Sequence, residues 1–244
     1  MPSLGLKNNL IGSNVIGTPG NNYIVNFDGD DDYIQVPDPL GGAIADDSSW
    51  SITTWIKHDS GGEYEESIIN TGTSSNTFFI RFNNSNRKLR VSANNSSITK
   101  LYTSGLVTED EWNHITIVYT PDDTNELVYY RNGSAVGSAT NFNMSQTPDT
   151  TNARIGVRAG STNDDFLGQM AMFGVFSKAL SSSEVSDIYN NPAYDLSSIG
   201  DLELWYRMGD GTESGSGSTI YDMSGNGLNG TLQGDASIQS GSVT

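Results

Sequence analysis

The sequence predicts an all-β fold, a sandwich of two antiparallel sheets with one short helix, and three observations carry that prediction. Strand-length segments with alternating apolar and polar positions follow one another from Tyr23 to Phe176, each closed by Gly, Asn, Asp or Pro. Charged residues make up only 17% of the 244 residues, and Asn, Ser, Thr and Gly supply most of the polar surface, a composition suited to turns rather than to charged helices. Cysteine is absent, which excludes disulfides, thiol nucleophiles and thiolate metal sites and leaves stability to a packed core. At this length a single large sandwich is expected: residues 1–20 as an extension, residues 21–244 as the sandwich, and residues 200–244 as the segment that completes it.

The elements read in order. Tyr23–Phe27 is the first strand, and Tyr33, Ile34 and Val36 form another that Pro37 and Pro39 stop. In Trp50–Lys57 the period of two puts Trp50, Ile52 and Ile56 on one face and Trp55 on the other, so aromatic surface is expected on both sides. Phe78, Ile80 and Phe82 line one face of a later strand, followed by Leu89 and Val91 and then by Ile98–Tyr102. Trp112–Thr120, a polar turn at Pro121–Asn125 and Leu127–Arg131 form a hairpin, and Asn132-Gly133 supplies the positive φ angles for a second reversal through Ala135 and Val136. Ile155, Val157 and Phe166–Phe176 continue the pattern. Ser181 and Glu184 have the spacing of a capping box, and Val185, Ile188 and Tyr189 fall on one helical face before Pro192, so the one helix belongs here. Leu202–Arg207 reads as a strand ahead of the Gly/Ser-rich stretch GDGTESGSGST.

Lys and Arg number 12 against 29 Asp and Glu, a net charge of −17 that repels the phosphates of nucleic acid and anionic membranes. No apolar run approaches the ~20 residues of a membrane span, and the start MPSLGLKNNLIGSNVIG lacks the basic and apolar regions of a secretion signal. A soluble protein without nucleic-acid or membrane partners is expected.

Taken together, NFDGDDDYIQVPD, WSITTWIK, WNHITIVYT, LVYYRNGSAVGS, RIGV and FLGQMAMFGVFSKALSSSEVSDIY resemble the laminin-G-like domains of the concanavalin A-like lectin and glucanase superfamily, over Tyr23 to Asn190. The resemblance implies a jelly-roll sandwich whose rim loops carry ligand or calcium sites. One segment, Leu204 to Leu232, precedes the Phe-Asp-Gly motif in many family members and here follows it, as though circularly shifted. Folding that segment back onto the sandwich is expected, since a missing strand leaves an unpaired edge. The arrangement is similar to laminin-G-like modules of tailed-bacteriophage virion proteins. It implies a non-catalytic head-decoration or fibre protein, made in the bacterial cytoplasm and placed on the virion surface. Such a protein would bind glycans or capsid and tail proteins, and could form homo-oligomers. The alternative is a carbohydrate-binding module or glycan-active enzyme of the same fold, acting outside a bacterium.

Asp28, Asp30, Asp31 and Asp32 crowd four carboxylates into five positions. The spacing is not that of an EF-hand, since Tyr33 stands where Gly is needed and Pro39 where Glu is needed. The resemblance implies instead a structural calcium held by Asp28 or Asp32, with the Asp222/Asn226 turn contributing and Asp165 as a second source. The alternative is a solvated acidic turn. Met170–Phe173 stands where many members carry an acidic residue, which argues against a pentraxin-type metal site. For a sugar, aromatic platforms are needed, and Trp55, Tyr64, Tyr102 and Tyr130 are the candidates, each with core packing as the alternative. Catalysis is not expected: the only histidines are His58 and His114, and Glu63 and Glu65 alternate as in glucanases but lack the flanking apolar strand.

Overall fold

The computed structural model describes residues 23–37, 43–61, 65–72, 77–83, 88–93, 98–101, 107–123, 126–142, 144, 146–158, 164–208, 215–241 and 243. The strands are β1 (Tyr23–Asp28), β2 (Tyr33–Gln35), β3 (Trp50–His58), β4 (Glu65–Thr71), β5 (Phe78–Asn83), β6 (Lys88–Ala93), β7 (Ile98–Leu101), β8 (Trp112–Tyr119) and β9 (Leu127–Arg131). They continue as β10 (Ser134–Ala139), β11 (Arg154–Ile155), β12 (Leu167–Phe176), β13 (Leu202–Tyr206), β14 (Gly215–Ser216), β15 (Thr219–Ile220), β16 (Gly230–Gln233) and β17 (Ser237–Ser240). Between β12 and β13 lie helix α1 (Ser182–Asn190) and a 3₁₀ turn, Leu196–Ser198. Among the described residues no helix is long and apolar enough to cross a membrane.

All pairings are antiparallel and build the two sheets that the alternation predicts. One sheet runs β10-β9-β8-β3-β12-β1-β17, with β13 also on β12; the other runs β14-β15-β16-β2-β11-β4-β5-β6-β7. The C-terminal strands lie in both layers: β17 pairs with β1 through Val25↔Ile238, and β16 pairs with β2 through Leu232↔Ile34. Trp50, Ile52 and Ile56 of β3, Phe78, Ile80 and Phe82 of β5, and Phe27, Ile34 and Phe173 form the core between the layers.

The first sheet is apolar on its outer face as well. Trp55, Val118, Tyr130, Ala171, Met172, Phe176 and Trp205 make a second buried cluster there, covered by Leu180, Val185, Ile188 and Leu196 from the α1 region. In β12 the extra residue Met172 adopts φ +50° where the register with β3 slips, a β-bulge that places Ala171 and Met172 outside and returns Phe173 to the core. Helix α1 is held by its capping box: Ser181 Oγ accepts from the Glu184 N–H at 3.2 Å, and Glu184 Oε2 accepts from the Ser181 N–H at 2.7 Å.

One buried polar pair joins the layers. His58 Nε2 lies 2.7 Å from Glu66 Oε2, both side chains fully buried, with the imidazole edge-on to Phe82 and Phe166. The Leu167 N–H also donates to Glu66 Oε2 at 3.0 Å, so the carboxylate is hydrogen-bonded as a buried charge must be.

Candidate functional site, an aromatic cleft beside the helix

The outer face of the first sheet leaves a cleft of about 340 Å³ where the end of α1 passes over β3 and β8, within the usual range of ligand pockets. Three rings wall it, Trp55 from β3, Trp112 from β8 and Tyr189 from α1, joined by Asn132, Asn190, Pro192 and Val243. Its geometry begins with the Asn132-Gly133 turn. Asn132 adopts φ +48° and Gly133 φ +74°, and a Cβ on Gly133 would lie 2.9 Å from Tyr189 Cδ1. Only glycine lets the helix approach this closely. Tyr189 then stacks on Trp55, centroids 5.6 Å apart and planes within 20°.

The two amides offer complementary groups. Asn132 spends Oδ1 on the His114 N–H at 2.9 Å, which leaves its amide N–H groups as donors. Asn190 spends Nδ2 on Ser186, at 2.8 Å to the carbonyl and 3.1 Å to the hydroxyl, which leaves its carbonyl as an acceptor. Among the described residues no carboxylate, imidazole or amine lines the cleft. Aromatic walls with an amide donor and an amide acceptor suit the apolar face and hydroxyls of a neutral sugar.

His114 lies under the cleft, fully buried, with its ring 5.1 Å from that of Trp55. Its Nε2 meets Thr53 Oγ1 at 2.8 Å, and burial lowers its pKa to about 3, so the imidazole is neutral and serves packing. The second buried histidine, His58, is committed to Glu66. Glu65 is bound by Arg81 at 2.7 Å and Arg90 at 3.2 Å; Glu63 lies outside the described residues.

Of the aromatic residues singled out in the sequence, Trp55 reaches the cleft but keeps only 5% of its surface exposed, because Tyr189 covers one face. Tyr130 packs in the outer-face cluster at 7% exposure. Tyr64 and Tyr102 lie outside the described residues. Sequence reading passed over Trp112 and Tyr189 as wall residues. Tyr189 carried a signal, the helical spacing that aims it at the sheet, but its partner was invisible before the fold was known.

The acidic positions separate. Asp222 spends Oδ1 on the N–H groups of Trp205 and Ser224, and Oδ2 on the Ser224 hydroxyl and the Leu228 N–H, all within 3.0 Å. Asn226 donates to the Leu202 and Glu203 carbonyls. These two residues therefore close a turn. Asp165 is buried beside Asp164, which pairs with Arg81 and Arg158, each at 3.2 Å. Among the described residues no three Asp, Glu or His side chains gather as a metal site would require.

The Asp28–Asp32 turn differs. Asp28 is exposed and accepts from the Asp30 N–H through Oδ1, whereas Asp32 is buried and accepts from the Asp28 N–H at 2.8 Å through Oδ2. Burial raises the Asp32 pKa against the backbone hydrogen bonds from Asp28 and Asp235 that lower it. The point a Cβ on Gly234 would occupy is 2.6 Å from the Asp31 carbonyl oxygen, 2.7 Å from Asp31 Oδ1 and 2.8 Å from Asp32 Oδ1. Three oxygens from two residues thus crowd against the Gly234 backbone where β16 ends, hard donors of the kind calcium takes but short of its full ligand set.

Comparisons place the fold among known proteins. A candidate carbohydrate-binding protein of Bacteroides ovatus ATCC 8483 matches with TM-score 0.70 at 20% identity; the match covers 91% of this chain, which spans 60% of the length of that protein. A heptameric SAP-like pentraxin of Limulus polyphemus matches with TM-score 0.52 at 17% identity, over 69% of this chain and 82% of the pentraxin. The binding domain of botulinum neurotoxin serotype D matches with TM-score 0.50 at 18% identity, over 68% of this chain and 41% of that one. The chain matches no curated protein by sequence. At these identities the structural likenesses bear on the fold alone, a jelly-roll sandwich with an outer helix. The laminin-G-like family model, by contrast, matches residues 28–186, and on that span the chain belongs to the concanavalin A-like lectin/glucanases superfamily.

Proposed function

We propose that this protein is a non-catalytic glycan-binding sandwich that takes a neutral sugar residue in the Trp55–Trp112–Tyr189 cleft. The observation that carries the reading is the lining itself: among the described residues it holds three rings, one amide donor, one amide acceptor and no acid or base. Trp112 is half-buried at the start of β8, where its neighbours already fix its strand. In keeping with the resemblance to phage modules, the site would act at a virion surface, in a head-decoration or fibre protein that attaches to glycans or to capsid or tail neighbours. Calcium, where bound, would be held by Asp31 and Asp32, and would lock the β1–β2 turn against the end of β16 by relieving their mutual repulsion.

A glycan array with the intact protein tests the reading, paired with Trp112→Ala and an assay for released reducing sugar. The expected result is a saccharide signal that falls at least tenfold in the variant while circular dichroism is unchanged and no sugar is released. Release of reducing sugar, or a signal indifferent to Trp112→Ala, would overturn it. Co-sedimentation with phage particles would support the virion setting, and its absence from purified particles would remove that part of the proposal.

A further inference from the structure

The chain after α1 has a cleft on each side. Asn190 and Pro192 line the first, while Asn191, Asp195 and Ser197 line a second cleft of about 490 Å³ with Trp205, Arg207 and Met223. The segment from 190 to 197 is therefore a ridge whose side chains alternate between two hollows on one sheet. Trp55 faces Ala171 of β12 and Trp205 faces Gly174 of the same strand from its other side. The two tryptophans thus stand two strand spacings apart, about 10 Å across the sheet, and are offset by three residues along β12.

The second cleft repeats the chemistry of the first with different residues. Trp205 and Met223 form an apolar floor, and the Arg207 guanidinium stands 5.8 Å from the centre of the Trp205 ring. Asp195 spends Oδ1 on the Ser197 N–H and hydroxyl, and Asn191 spends its carbonyl on the Ala193 N–H at 3.2 Å, which leaves its amide N–H groups as donors. The Asn191 amide donors and the Asp195 acceptor therefore share a cleft with an apolar floor. A hydroxyl both donates and accepts, so this arrangement suits a sugar ring with hydroxyls at its rim.

We propose that the Trp205–Met223 cleft is a second sugar subsite and that the ligand is an oligosaccharide laid across the ridge with one residue in each cleft. The proposal rests on the sugar reading of the first cleft and adds that the site discriminates by chain length. Two linked subsites make the second contact intramolecular, and such linkage raises affinity by about 10²-fold or more over either alone.

Titration calorimetry with defined β-linked glucose, galactose and N-acetylglucosamine series, from mono- to hexasaccharide, tests this on the intact protein. Ala193→Trp fills the second cleft without removing any group from the first, and Asp195→Asn keeps the turn capped while removing the charge. For the series that binds, affinity is expected to rise about 10²-fold with length. Both variants should abolish that rise, leave the monosaccharide constant unchanged and keep the wild-type circular dichroism. Affinity independent of length, or a length effect that survives Ala193→Trp, overturns the second subsite while the first stands. Failure of every series to bind overturns both.

Discussion

His114 offers the most quantitative test of how burial governs this molecule. Its ring is fully buried between β3 and the α1 region, with Nε2 2.8 Å from Thr53 Oγ1, which in turn meets Thr116 Oγ1 at 2.8 Å. Burial alone lowers its pKa from 6.5 to about 3. The unfolded chain therefore takes up a proton near pH 6.5 that the folded chain refuses until about pH 3. This contribution to stability is full above pH 6.5 and is lost progressively as the pH falls towards about 3. One proton gives a slope of about 1.36 kcal/mol per pH unit, so between pH 6.5 and about pH 5, above the range where most carboxylates titrate, the loss is about 2 kcal/mol. The perturbation is His114→Gln, whose amide can still reach Thr53 and carries no titrating group. Urea unfolding across this pH range gives the free energy of each protein. The variant should be less stable at neutral pH because its packing is poorer, but its profile should be flatter by about 1.36 kcal/mol per unit below pH 6.5. Parallel profiles would refute the argument, since His58 and every carboxylate are common to both proteins.

Three further outcomes follow from the same geometry. Gly133→Ala should cost about 1–2 kcal/mol for the left-handed backbone alone, and a Cβ 2.9 Å from Tyr189 should displace that ring; chemical denaturation and the near-ultraviolet circular dichroism of the Trp55–Tyr189 stack would both register it. Ser181→Ala removes the acceptor for the Glu184 N–H and should lower stability by about 1 kcal/mol, while Ser181→Asp should retain the cap; thermal unfolding distinguishes them. If calcium is held at the Asp31–Asp32 turn, millimolar calcium should raise the melting temperature of the wild type, and chelation should reverse the rise. Asp32→Asn should be indifferent to both treatments, and a wild type whose melting temperature ignores calcium would exclude the site.

The all-β class, the two-faced strand at Trp50–His58 and the capped helix were legible in the sequence, because each depends on local periodicity or on groups three residues apart. The outward Trp55 against the inward Trp50, Ile52 and Ile56 follows from the pleat of a single strand. The Asn132-Gly133 turn was likewise visible, since positive φ restricts residue choice wherever it occurs.

What tertiary structure alone decided was which of these local features meet. Tyr189 and Trp112 are 77 positions apart in the chain and wall one cleft only because α1 folds over β8 beyond a glycine that admits it. Asp222 read as a ligand because its carboxylate was visible and the four donors that occupy it were not. Asp31 and Asp32 meet Gly234, two hundred residues away, only because the end of β16 closes against their turn. A sequence declares the chemistry of each side chain and the geometry of its near neighbours; whether a polar group is spent or available depends on contacts that only the closed sandwich creates.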